Sequence, residues 1–76
     1  MDRTDTPGEI LKKARLKKGW TQEEVAKKAG LGQNTYPKLE RGDNMPSPES
    51  AIKLMHALDI DQSRLPALLG QPDKKG

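Results

Sequence analysis

Two short helical patterns meet at a glycine between Gln22 and Gly42, in the string QEEVAKKAGLGQNTYPKLERG, and the rest of the chain must fold around that junction. Thr21 followed by Glu24 reads as a capping box, in which an N-cap hydroxyl and a carboxylate three residues on satisfy each other's backbone amides. Val25, Ala26 and Ala29 form the inward stripe of this first helix, and Gly30 ends it after barely two turns. The second pattern spans Gln33 to Arg41, with Leu31, Tyr36 and Leu39 as its apolar positions and Gly42 as its stop. Helices this short do not persist alone in water, so other elements have to cover both stripes.

The composition limits what those elements can be. A chain of 76 residues is one domain, because two cores would leave each half too small to offset chain entropy. Apolar residues make up 32% with no Phe, so the core is small and built from aliphatic side chains, Met, one Trp and one Tyr. An all-α, compact five-helix bundle is the economical solution. The absence of cysteine removes disulfides and thiolate metal sites as sources of stability. A net charge of +3 favours a polyanionic partner only weakly. No apolar run is long enough to span a bilayer and the first residues lack a signal-peptide core, so the expected location is the cytoplasm, with no membrane partner.

The flanks supply the missing helices. Thr6-Pro7-Gly8-Glu9 combines a hydroxyl cap, a proline at the first helical position and a capping-box glutamate, opening a helix that runs through Ile10, Leu11, Ala14, Arg15 and Leu16 to Lys18 before Gly19 stops it. Its lysines read first as a solvated face. Trp20 precedes the Thr21 cap and can staple onto Val25. Ser47-Pro48 starts a fourth helix to about Leu58, with Ala51, Ile52, Leu54, Met55 and Leu58 along one broad face. Asp61 can cap a last short helix through Leu65, Leu68 and Leu69, although Pro66 obscures its start. The expected organisation is a flexible segment 1–5, a domain over 6–70 and a disordered tail over 71–76.

At this point the chain resembles the helix-turn-helix domain of the phage lambda and 434 repressors, Cro and the wider xenobiotic-response-element (XRE) family, over roughly Glu9 to Leu69. In the unit starting at Gln22, the family places a small residue fifth, a glycine ninth and apolar residues fourth, eighth, tenth, fifteenth and eighteenth. Those places hold Ala26, Gly30, Val25, Ala29, Leu31, Tyr36 and Leu39. The small residue lets the two helices approach, and the glycine permits the positive φ of the turn between them. The resemblance also implies an ion pair between Arg15, on the inward side of the first helix, and Glu40 at the end of the third.

What the resemblance implies about function is specific. The third helix enters the major groove of double-stranded DNA, with base contacts from Gln33, Asn34 and Lys38. The residue chemistry agrees, since Gln and Asn match adenine N6 and N7 while Lys donates to guanine O6 and N7. Phosphate contacts fall to Gln22, with Thr35, Arg41, Asn44 and Ser47 as further candidates. A homodimer on a two-fold operator is expected, with Leu65, Leu68 and Leu69 as its surface and Ile60 nearby; the alternative is that these residues close the core over the first and fourth helices. The implied activity is that of a sequence-specific transcriptional regulator, a repressor or controller protein, with no cofactor and no small-molecule ligand. The competing reading is a degenerate helix-turn-helix that binds a protein instead of DNA. An enzyme is not expected: His56, the sole histidine, sits beside the apolar stripe of the fourth helix as a core-edge residue and has no partner at metal-ligand spacing.

Two positions depart from the family pattern. Gly32 stands where a capping Ser or Thr is usual, which costs a few tenths of a kcal/mol. Pro37 would be the fifth residue of a helix starting at Gln33, where it removes a hydrogen bond and crowds a carbonyl at a cost of about 3 kcal/mol. Either the first turn loosens into a 3₁₀-like start and the helix survives with a bend, the preferred outcome, or Tyr36 becomes the cap and Gln33 to Thr35 lie on a loop. The Tyr36 ring fills the core, and its hydroxyl is expected to reach solvent or phosphate.

Overall fold

The computed structural model describes residues 6–69, so the expectations for both chain ends lie outside the described residues. Within them are five α-helices, a single 3₁₀ turn and no strand.

Helix α1, Pro7–Lys18, opens with the full capping box: the Thr6 hydroxyl accepts from Glu9 N at 3.2 Å and the Glu9 carboxylate accepts from Thr6 N at 3.4 Å. Helix α2, Gln22–Ala29, repeats the device with Thr21 and Glu24. Helix α3 is Thr35–Arg41, and α4 is Pro48–Leu58 with the Ser47 hydroxyl accepting from Ser50 N. Asp61 caps a 3₁₀ turn, Gln62–Arg64, instead of an α-helix, and this turn leads into the four-residue α5, Leu65–Leu68. Pro66 is the second residue of α5, where its missing N–H costs no helical bond.

The chain leaves α2 through Gly30 at φ 72°, a backbone conformation that penalises any residue with a Cβ. Its N–H and that of Leu31 return to carbonyls of the last turn, closing α2 before the chain swings towards α3. α4 ends on Asp59 at φ 57°, whose carboxylate meets Lys18 of α1 at 2.7 Å.

α1 packs on α3, α4 and α5, and α2 packs on α3 and α4. One core joins them: Ile10 and Leu11; Val25, Ala26 and Ala29; Tyr36 and Leu39; Ala51, Leu54, Met55 and Leu58; and Leu68. Trp20 packs partly buried against this core, with the ammonium groups of Lys28 and Lys18 at 4.8 Å and 5.6 Å from its ring centre. Two expectations for α4 are corrected. Ile52 is 43% exposed, because the inward stripe of α4 is the narrower 51, 54, 55, 58 set. His56 is likewise exposed instead of sitting at the core edge.

Gly8 has a role that its place in a capping sequence concealed. It is buried against the C-terminal half of α3, and a Cβ there would collide with the backbone carbonyls of Leu39 and Glu40. α1 and α3 therefore touch backbone to backbone at this point.

Candidate nucleic-acid interface

The inner face of α3 is fixed by a network centred on one carboxylate. Arg15 grips Glu40 with two hydrogen bonds, Nε to Oε2 at 2.7 Å and Nη2 to Oε1 at 3.2 Å, so the pair inferred from the resemblance forms as a fork. The remaining guanidinium arm donates to the carbonyl of Trp20 at 2.9 Å, tying in the start of α2. Gln22 Nε2 donates to Glu40 Oε1 at 3.0 Å, and the Tyr36 hydroxyl donates to Glu40 Oε2 at 2.6 Å. The Tyr36 hydroxyl thus turns inward, correcting the expectation that it reaches solvent or phosphate: a shielded carboxylate is a stronger acceptor than water offers at that depth. The Glu40 side chain is only 4% exposed.

The titration behaviour follows from this arrangement. Burial pushes the Glu40 carboxyl up, but the hydrogen bonds from Arg15, Tyr36 and Gln22 outweigh it and hold the group below the ordinary carboxylate range. Burial, reinforced by the adjacent Glu40 carboxylate, pushes Tyr36 above the ordinary tyrosine value. The Glu40 hydrogen bond raises Arg15 against the opposing effect of burial.

The side chains named for base contact lie on the turn before α3 and on the outer face of α3. Gln33 and Asn34 lie in a turn ahead of the helix, closed by Thr35 N to the Gly32 carbonyl at 3.1 Å and Tyr36 N to the same oxygen at 3.4 Å. The first of these bonds spans three residues, so the start of the helix is loosened in the 3₁₀ manner; Tyr36 is not the cap and is fully helical. The expected helical start at Gln33 is displaced by two residues. That displacement accommodates Pro37, which becomes the third residue of α3, a position whose N–H has no intrahelical partner in any case. Asn34 keeps an α-type backbone and its side chain makes no capping bond. Asn34 and Lys38, four residues apart on continuous α-type backbone, share one face, and both are exposed. Gln33 is also exposed, and its Nε2 donates to Glu23 Oε2 of α2 at 3.3 Å.

The phosphate candidates are engaged to different degrees. Gln22 is held by Glu40, while Arg41 places Nε and Nη2 at 3.1 Å and 2.9 Å from Asp43 Oδ2. Ser47 caps α4, and Thr35 and Asn44 are exposed. Leu68 is fully buried within the chain's own core, which removes it from the set of surface residues; Leu65 and Leu69 are half-buried. The sequence placed Glu23 only as a first-turn carboxylate at the positive end of the α2 dipole and did not foresee its contact with Gln33 across the turn.

A helix-turn-helix family model matches residues 11–61. The chain is 47% identical over 51 residues, covering 67% of it and 67% of the relative, to an uncharacterized HTH-type transcriptional regulator, YqaF, of Bacillus subtilis (strain 168). It is 34% identical over 58 residues to the HTH-type transcriptional regulator ImmR of the same organism; that match covers 76% of this chain and 46% of ImmR, so the chain spans about half of that relative's length. No solved structure matches significantly. The chain belongs to the XRE-type helix-turn-helix family.

Proposed function

We propose that this protein is a sequence-specific, double-stranded-DNA-binding transcriptional regulator that reads the major groove with α3 and the turn before it. The observation that carries the reading is the two-sidedness of α3. Its inner face is clamped through Glu40 to α1 and α2, while Gln33, Asn34 and Lys38 stand exposed on the outside. A reading element needs this combination, because base-edge hydrogen bonds discriminate only when the donors and acceptors are held in register. The transcriptional-regulator names of both relatives agree with it.

In this proposal Gln33, Asn34 and Lys38 contact bases. Gln22, Thr35, Arg41, Asn44 and Ser47 contact phosphates, with Arg41 exchanging Asp43 for the DNA. The chain acts as a homodimer using Leu65 and Leu69, in the manner of a repressor or controller protein. Two chains then occupy one pseudo-palindromic site with half-sites about one helical turn apart.

The test is affinity for duplex DNA as a function of salt, with stoichiometry measured at saturation. The logarithm of the binding constant should fall linearly with the logarithm of salt concentration, with a slope of about −0.9 per phosphate contacted, and two chains should bind each site. Replacing Gln33 and Asn34 together by alanine should abolish sequence preference without changing the melting temperature. Affinity that is absent at low salt, or flat with salt, would refute the proposal and favour a protein-binding module.

A further inference from the structure

We propose that Glu23 is a specificity-determining positioning residue, whose carboxylate fixes which way round the Gln33 side-chain amide faces the DNA and therefore which bases Gln33 selects. The inference rests on the DNA-reading proposal above and extends it to a residue outside the contact set.

Glu23 is the second residue of α2 and is not part of its cap: Thr21 exchanges its bonds with Glu24, N to Oε1 at 2.8 Å and Oγ1 from N at 3.1 Å. Glu23 instead reaches across the turn between α2 and α3, where Oε2 accepts from Gln33 Nε2 at 3.3 Å. A glutamine with no neighbour presents its donor end or its acceptor end to a base equally well, because a half-turn of the amide exchanges them. A carboxylate offers acceptors only. Flipping Gln33 would place its carbonyl oxygen against the carboxylate oxygens, so Nε2 stays towards Glu23 and Oε1 is left to face outward.

The consequence is a polarity in base choice. An outward carbonyl accepts from the exocyclic amines in the major groove, adenine N6 and cytosine N4, and opposes guanine O6 and N7 and thymine O4. A second effect of Glu23 is separable. A carboxylate near the DNA backbone repels phosphates alike in every sequence, so its removal raises affinity overall without altering preference. The structural reading, in which Glu23 only steadies the turn, predicts no change in base preference on charge reversal.

The experiment selects bound sequences from a random duplex pool with the wild type, Q33A, E23A and E23K; residue 23 is exposed, so these variants keep the fold. Q33A identifies the base pair that Gln33 reads. At that position the wild type should favour adenine or cytosine by about tenfold, an ordinary return for one well-placed base contact. E23A should reduce this to within about threefold, of the order of one lost hydrogen bond. E23K, whose ammonium donates to Gln33 Oε1 and turns Nε2 outward, should favour guanine or thymine there. The side-chain amide resonances of Gln33 in the free protein provide a readout independent of DNA and should move in E23A.

An enriched wild-type site whose Gln33 position is the same in E23A and E23K overturns the inference while leaving the function intact. Gln33 amide resonances unmoved by E23A overturn its geometric basis. A wild-type pool that stays random defeats the DNA-reading proposal itself, and this inference with it.

Discussion

At the level of single residues, Glu40 organises the inner face of α3, accepting hydrogen bonds from Arg15, Gln22 and Tyr36, residues of three different helices. Tyr36 supplies the sharpest test of that network, since it is the sole tyrosine. Its pKa is raised above the ordinary 10.0, first by burial and then by Glu40. A group raised in the folded state contributes stability that is complete below its unfolded pKa and is lost as pH rises through the folded one. Tyr36→Phe should therefore lower stability at pH 8 by about 1.5–3 kcal/mol, the size of a hydrogen bond to a charged group. Above pH 10 the gap to wild type should narrow, because only the wild type then loses the tyrosine contribution. Denaturant midpoints at pH 8 and pH 11 measure this, and parallel losses in both proteins would show that Tyr36 is not held neutral against Glu40. The Arg15–Glu40 pair was legible in the sequence through its family positions. The inward turn of the Tyr36 hydroxyl was not read, although Glu40 stands four residues on along the same helix face, because how deeply the Glu40 carboxylate is shielded depends on the packing of α1 and α2 around it.

At the level of elements, the caps and stops were legible because they are local. Thr6 with Glu9, Thr21 with Glu24, Ser47, Gly19, Gly30 and Gly42 each act within a few residues of themselves. What was not legible depends on neighbours distant in the chain. Gly8 reveals nothing in sequence about the α3 carbonyls against it, and Ile52 lies next to the inward stripe of α4 in a helical projection yet faces out. The start of α3 lies between these cases. Pro37 signalled a conflict with a helix beginning at Gln33, and the fold resolves it by beginning the helix at Thr35, after a turn held by the Gly32 carbonyl. Pro37→Ala should accordingly change stability by less than about 1 kcal/mol, because the one bond an alanine N–H could add, to the Gln33 carbonyl, is offset by the freedom the unfolded chain gains. A gain near 3 kcal/mol, the cost of an interior proline, would mean that the helix begins at Gln33 after all.

At the level of the whole molecule, the spacing of short helices around Gly30 was enough to read the bundle and the family, since few arrangements bury stripes this short. The C-terminal part was less legible. Leu65, Leu68 and Leu69 look alike in sequence, but only the packing of α5 on α1 and α4 separates the fully buried Leu68 from its half-buried neighbours. The folded chain presents two contrasting surfaces, the turn and outer face of α3 with the first turn of α2, and the outer face of α4 with exposed Ile52 and His56. The proposal assigns DNA to the first and nothing to the second. The most direct test is to titrate isotope-labelled protein with duplex DNA at low salt and map the amide resonances that move. Shifts concentrated at Gln22, Glu23, Gly32 to Thr35, Lys38, Arg41, Asn44 and Ser47, with Ile52 and His56 unmoved, are the predicted result; shifts confined to the outer face of α4, or none at all, would contradict it.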